Sequence, residues 1–211
     1  MKLKACLIVV LLVAVSGVTS AAIITGIERR NPDGNSGDTP PVISSVPLGP
    51  GAAIFVDRVH VYGGVPADVL GADYVMVAND DKDNPNYQLH VTVSAAGLLG
   101  LLIDNRVGHG SVSGSPDLNP DLAAAGMQWA LDMGFVDSGL DVEIDEGANG
   151  SIDNWSSIFV LQVLPGTYTL YQQNDATDAG GRNMYSVGAI PEPATLSLLG
   201  LGALALIRRR R

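Results

Sequence analysis

The stretch Tyr87-Gln88-Leu89-His90-Val91-Thr92-Val93-Ser94 decides the fold class. Tyr87, Leu89, Val91 and Val93 alternate with Gln88, His90, Thr92 and Ser94. That period of two turns one set of side chains toward a core and the other toward water. A polar, turn-forming run, Asn79-Asp80-Asp81-Lys82-Asp83-Asn84-Pro85-Asn86, precedes it, and the apolar run 98–103 behind it suits a central strand. Further β-branched and aromatic stretches lie at 52–62, 73–78, 157–164, 167–173 and 183–189. Pro165-Gly166 marks a turn between two of them. In 52–62, Val56, Arg58, His60 and Tyr62 fall on one face, and Phe55, Asp57, Val59 and Val61 on the other.

One helix is predicted. Asn119 can cap it, Pro120 suits its first turn, Asp121 favours its positive end, 122–132 is Ala-rich and Gly134 can stop it. The fold class is therefore mainly β: a β-sandwich, jelly-roll-like, of about eight strands with one inserted helix. It is expected over 51–189. Residues 23–50, with Asn31-Pro32-Asp33-Gly34 and Pro47-Leu48-Gly49-Pro50-Gly51, read as a flexible Pro/Gly-rich arm.

Charge is distributed in three parts. The chain of 211 residues has 12 cations, 22 acids and a net charge of −10. Lys2 and Lys4 stand at one end and Arg208, Arg209, Arg210 and Arg211 at the other, each group beside an apolar run. Between them lie only six cations against every acid except Glu192, a charge of about −15. Such a surface excludes nucleic acid as a partner, because phosphate binding needs a net basic face. The single cysteine, Cys6, lies in the N-terminal apolar leader, so the central domain has no disulfide, thiol nucleophile or thiolate metal ligand.

The ends read as addresses. In 1–22 a basic start, the apolar run 5–15 and small residues to Ala22 have the form of a secretory signal peptide, cut after Ser20 or Ala22. Eleven apolar residues span about 16 Å as a helix, too short for a hydrocarbon core of about 30 Å. At 190–211, Pro191-Glu192-Pro193 stays extended, because both prolines lack an N–H donor. An apolar helix at 194–207 is expected to form a single transmembrane segment, short and weak, with the four arginines cytoplasmic by the positive-inside rule. Pro191, Glu192 and Pro193, the Leu/Gly/Ala segment and Arg208–Arg211 together closely resemble the PEP-CTERM sorting signal. That resemblance implies export through the Sec translocon, removal of the leader by signal peptidase, and recognition of the tail by exosortase, a membrane cysteine transpeptidase, in bacteria that make exopolysaccharide.

The centre resembles jelly-roll, galactose-binding-like modules of exported bacterial proteins in the order of Phe55-Val56-Asp57-Arg58, Asp73-Tyr74-Val75, Asn79-Asp80-Asp81-Lys82, Leu102-Ile103-Asp104-Asn105-Arg106 and Asn183-Met184-Tyr185. Such modules often bind carbohydrate or serve as accessory domains.

Candidate chemistry is sparse. No cofactor is expected, with calcium the one open possibility. Three acidic clusters offer hard oxygen ligands: Asp80, Asp81 and Asp83; Asp137, Asp141, Glu143, Asp145 and Glu146; Asp175 and Asp178. Asp141, Glu143 and Asp145 come nearest an EF-hand loop, yet Glu146 replaces its glycine and Ile152 its closing glutamate. Solvated turns explain the same residues. His60, His90 and His109 read as isolated, and Ser111 and Ser113 lack the nucleophile-elbow spacing. Trp129 belongs to the core of the predicted helix, and Trp155, on a predicted loop, is the candidate for stacking on a sugar ring. Arg106 and Asp57 read as buried ion-pair members, with ligand contact the alternative.

The expectation is a non-enzymatic, exported cell-surface or extracellular-matrix protein, held first as an inner-membrane-anchored precursor and associated with exopolysaccharide or the envelope. The alternatives are a carbohydrate-binding module, with or without stabilising calcium, and, behind it, a glycoside hydrolase using paired carboxylates.

Overall fold

The computed structural model describes residues 22–32, 39–110, 112–173 and 181–191. Among them ten strands follow in order: β1 (Ile24–Arg30), β2 (Val42–Ile43), β3 (Val61–Tyr62), β4 (Asp73–Met76), β5 (Gln88–Val93), β6 (Gly97–Asp104), β7 (Val136–Asp145), β8 (Asn154–Val163), β9 (Gly166–Tyr171) and β10 (Ser186–Pro191). They are joined by a 3₁₀ turn at Asn79–Asp83 and one helix, α1 (Gln128–Met133). A three-stranded sheet has the order β1-β5-β9 and a seven-stranded sheet the order β2-β4-β10-β6-β8-β7-β3, antiparallel throughout.

Period two fixes the layering. On β5, Leu89, Val91 and Val93 are buried while Gln88, His90 and Thr92 are half-buried, as the alternation predicts. Each such burial contributes about 1.5–3 kcal/mol. Across the large sheet, Leu101 stands in register with Phe159 and Val187, and Leu99 with Leu161 and Ala189, which defines one inner face. The two inner faces meet in one continuous hydrophobic core. Tyr87 and Tyr185 join them edge to face, and Trp129 of α1 packs on Tyr171 and Tyr185, closing the gap between the sheets. The opposite face of the large sheet is covered by the segment around residues 44–72: Tyr62 shares a 2.8 Å hydrogen bond with Ser186, and the Tyr74 hydroxyl donates to the Ala53 carbonyl.

Four expectations are corrected. The N-terminal stretch is no loose arm: β1 pairs with β5, Arg29 forms a buried 2.9 Å ion pair with Asp81, and Leu48 enters the core. Turn formers after Asn31 dominate that window, and β1's partner residues lie 58 to 69 positions away, so no local pattern announces it. The run 52–62 is not one strand. Ile54 N–H donates to the His60 carbonyl at 3.0 Å, so the chain reverses inside the run and only β3 and isolated bridges at Ala53 and Phe55 remain. The helix is shorter than predicted, because Gly126 adopts a left-handed φ of 67° and separates the turns at 122–126 from α1. Its predicted stop stands: Gly134, at φ 94°, donates to the Ala130 and Leu131 carbonyls. Finally, the acids of 137–146 do not form solvated turns throughout: most of them lie in β7. It is a ten-residue strand, bulged between Asp137 and Asp141.

Among the described residues no helix is long and apolar enough to cross a membrane. The signal peptide to residue 21, Glu192, Pro193, the expected helix at 194–207 and Arg208–Arg211 lie outside the described residues, as do Ser111, Asp175 and Asp178.

Candidate functional site

A polar cleft of about 310 Å³ opens where β6 and β7 end and β8 and β10 begin. It is built from five separate segments, and hydrogen-bonded carboxylates and amides tie them together. Asp57 accepts the N–H groups of Asn79 at 2.8 Å and Asp80 at 3.1 Å, which fastens the 3₁₀ turn to the loop before β3. Asn79 Oδ1 accepts the Met184 N–H at 2.8 Å and so binds that turn to the chain entering β10. Asp104, at the end of β6, is buried; it accepts Arg106 Nε at 2.9 Å and the Asn183 N–H at 2.9 Å.

Glu146 stands at the centre. Its Oε1 accepts from Arg106 at 3.1 Å, from Asn183 Nδ2 at 2.8 Å and from Asn154 Nδ2 at 2.5 Å. The turn that presents it is fixed by Asp145, whose carboxylate accepts the N–H groups of Gly147, Asn149 and Gly150. Burial alone would raise the Asp145 pKa, but these backbone donors outweigh it and hold it below the ordinary 3.8. Burial likewise opposes the charge of Arg106; its contacts with Asp104 and Glu146 more than offset this and keep it ionised.

The remaining lining is basic. Arg58 bridges Asp57, at 3.2 Å, and Asp80. Arg182 donates to the Gly110 carbonyl. Lys82 lines the cleft with no ion-pair partner among the described residues. Burial lowers the His60 pKa below its ordinary 6.5 against the pull of Glu146, and its Nδ1 is buried without a hydrogen-bond partner. The wall thus offers fixed cationic and amide donors to a ligand. Among the described residues that line it, Glu146 is the one carboxylate.

The structure separates the residues nominated from sequence. Trp155 is not on a loop: it lies in β8, half-buried, in register with Glu143 and away from the cleft. Asp141, Glu143 and Asp145 do not converge on an ion. Asp141 accepts from Asn105 at 3.1 Å and Ser157 at 2.9 Å, Glu143 lies beside Gly63 and Gly64, and Asp145 caps its turn. Among the described residues no group of three His, Cys, Asp or Glu side chains is placed to hold a metal ion. Arg106 pairs with Asp104 and Glu146, and Asp57 with Arg58, so the two belong to different pairs. Trp129 donates its indole N–H to the Gln172 carbonyl and packs against the core, as expected. His60, His90 and His109 stay apart: His60 lines the cleft, His90 lies on β5 and His109 contacts the Asn119 carbonyl. Sequence reasoning named Lys82 and Asn183 only as part of the jelly-roll resemblance, without a site role, and passed over Arg182. The available signal was the scarcity of central cations.

At the far end of β10 the nominated Pro191 closes the strand, in register with Gly97 of β6. Residues 189–211 match the PEP-CTERM protein-sorting motif, so the motif begins inside a central strand. The chain is thus a β-sandwich protein that carries an exosortase sorting motif. The motif implies an exported protein, processed with exosortase as its partner. Among curated proteins none matches the chain. Among solved structures it is similar to a β-glucuronidase from glycoside hydrolase family 2, with 16% identity over 75% of this chain and 14% of that one, at a TM-score of 0.53. A GH138 enzyme targeting pectin rhamnogalacturonan II aligns with 12% identity over 82% of this chain and 17% of that one, at a TM-score of 0.47. This chain therefore spans a small fraction of either enzyme, and the first likeness concerns the β-rich fold alone.

Proposed function

We propose that this is a non-enzymatic protein of the cell surface or extracellular matrix, sorted by exosortase from a membrane-anchored precursor, whose sandwich associates with exopolysaccharide through the cleft at the start of β10. One observation carries the reading. A single strand joins a polar, pre-formed cleft at Asn183 to a sorting motif that starts at residue 189. The fixed donor wall supports binding, since rigid polar groups hold a hydroxyl-rich ligand without first being ordered. Glycoside hydrolysis usually needs two facing carboxylates. Glu146 already accepts from three donors on one oxygen, which ties three segments of the cleft together and supports a structural role for it.

The test is made in the producing cells. Replacing Pro191, Glu192 and Pro193 by alanine should leave an unprocessed precursor in the inner membrane, whereas the parent chain reaches the surface and co-sediments with matrix polysaccharide. Normal processing and location of the variant would refute the sorting role. Release of reducing sugar from matrix polysaccharide by the purified protein would refute the non-enzymatic one.

A further inference from the structure

We propose that the cleft selects saccharides bearing carboxylates, with Lys82 as the charge contact. The inference rests on the reading of the sandwich as a polysaccharide-associated module and adds the ligand's charge class. Between the two basic ends the chain has six cations: Arg29, Arg30, Arg58, Lys82, Arg106 and Arg182. Four of them, spread over more than 120 positions in sequence, line this one cleft. In a centre carrying about −15, cations scattered for solubility would be dispersed over the surface. Their convergence gathers most of the central cations, among the described residues, at one cleft.

The four differ in state, and the difference supports recognition. Arg58 is held by Asp57 and Asp80, and Arg106 by Asp104 and Glu146, so both guanidinium groups are positioned before any ligand arrives. Lys82 is half-buried, on a 3₁₀ turn anchored by Asp57, and has no ion-pair partner among the described residues. A carboxylate entering the cleft would meet that ammonium beside the amide side chains of Asn79 and Asn183. The volume of about 310 Å³ is at the small end of ligand sites and suits one or two sugar units. The acidic remainder of the surface would repel a dense polyphosphate such as nucleic acid, whereas one carboxylate per sugar unit could enter.

The experiment measures binding of the full chain, purified in detergent, to matrix polysaccharide from the producing cells. One portion of the polysaccharide is native, and in the other the carboxyl groups have been reduced to primary alcohols. The native form should bind at least tenfold more tightly than the reduced one, and more weakly as salt is raised. Lys82→Ala should lower affinity for the native form about tenfold with an unchanged unfolding midpoint, and Lys82→Arg should restore most of it. Equal binding of the native and reduced forms would overturn the charge selectivity and leave polysaccharide association standing. Absence of binding to both forms would overturn both.

Discussion

The two ends of β10 solve different problems with the same strand. At its start the large sheet ends in charged and amide side chains drawn from five segments and joined through Asp104 and Glu146. At its finish the outer face of that sheet is apolar. Val69, Leu98, Leu140, Ile158, Val160 and Ile190 line a groove of about 230 Å³ there. The first end is held by side-chain geometry, and the second by backbone pairing and close approach: a Cβ on Gly97 would lie 2.7 Å from the Ile190 carbonyl oxygen. Six extended residues set the ends about 20 Å apart. The described chain ends at Pro191, at the apolar end, and the cleft opens at the other. The contrast teaches that the sorting motif is an extension of the fold. Its first residues, including the fully buried Ala189, are part of a central strand.

The contrast can be broken most severely at the polar end. Asp104→Ala leaves Arg106 without its main partner and the Asn183 N–H without an acceptor. The expected loss is about 3–5 kcal/mol in chemical denaturation. At the apolar end, Gly97→Val forces β6 from β10. It should cost about 1–3 kcal/mol and speed proteolysis near residue 190, with ligand affinity of the folded fraction unchanged. A loss of affinity at constant fold would show that the ends are coupled.

Two smaller effects depend on pH. His60 has a depressed pKa, so the unfolded chain takes up its proton first. Stability from this group is complete above the ordinary 6.5 and declines as pH falls below it. His60→Gln should flatten that decline in unfolding midpoints measured between about pH 7 and 5. Asp145 is also depressed, and its stabilisation is complete above 3.8 and lost as pH falls through the lower folded value. Asp145→Asn should therefore lose less stability than the parent chain below about pH 4. The smallest expected change in stability is that of Lys82→Ala, within about 0.5 kcal/mol, because no partner is left unpaired.

Legibility followed the range of the interactions. The alternation of 87–94 gave β5 with its buried face correctly, and the apolar run 98–103 gave β6. The same rule failed for β7, because Asp141 and Asp145 resemble loop acids, yet Ser157 and Asn105 donate to the first and turn amides to the second. Trp155 failed for a related reason: Asp153-Asn154 before it suggested a turn, but pairing with β7 extends β8 through both Asn154 and Trp155. At the site, Arg106 and Asp57 were recognised as paired charges, but not with the partners they have.

By itself the sequence determined the mainly β class, the cysteine-free acidic centre and the Pro191-Glu192-Pro193 address, because each is written in neighbouring residues or in composition. Only the tertiary structure decided that β1 completes the small sheet, that the address begins inside β10, and that Arg58, Lys82, Arg106 and Arg182 share one cleft. The physical reason is that strand periodicity is local, whereas an antiparallel sheet joins residues of any separation. A cleft assembled at its loops therefore has no contiguous pattern in the chain.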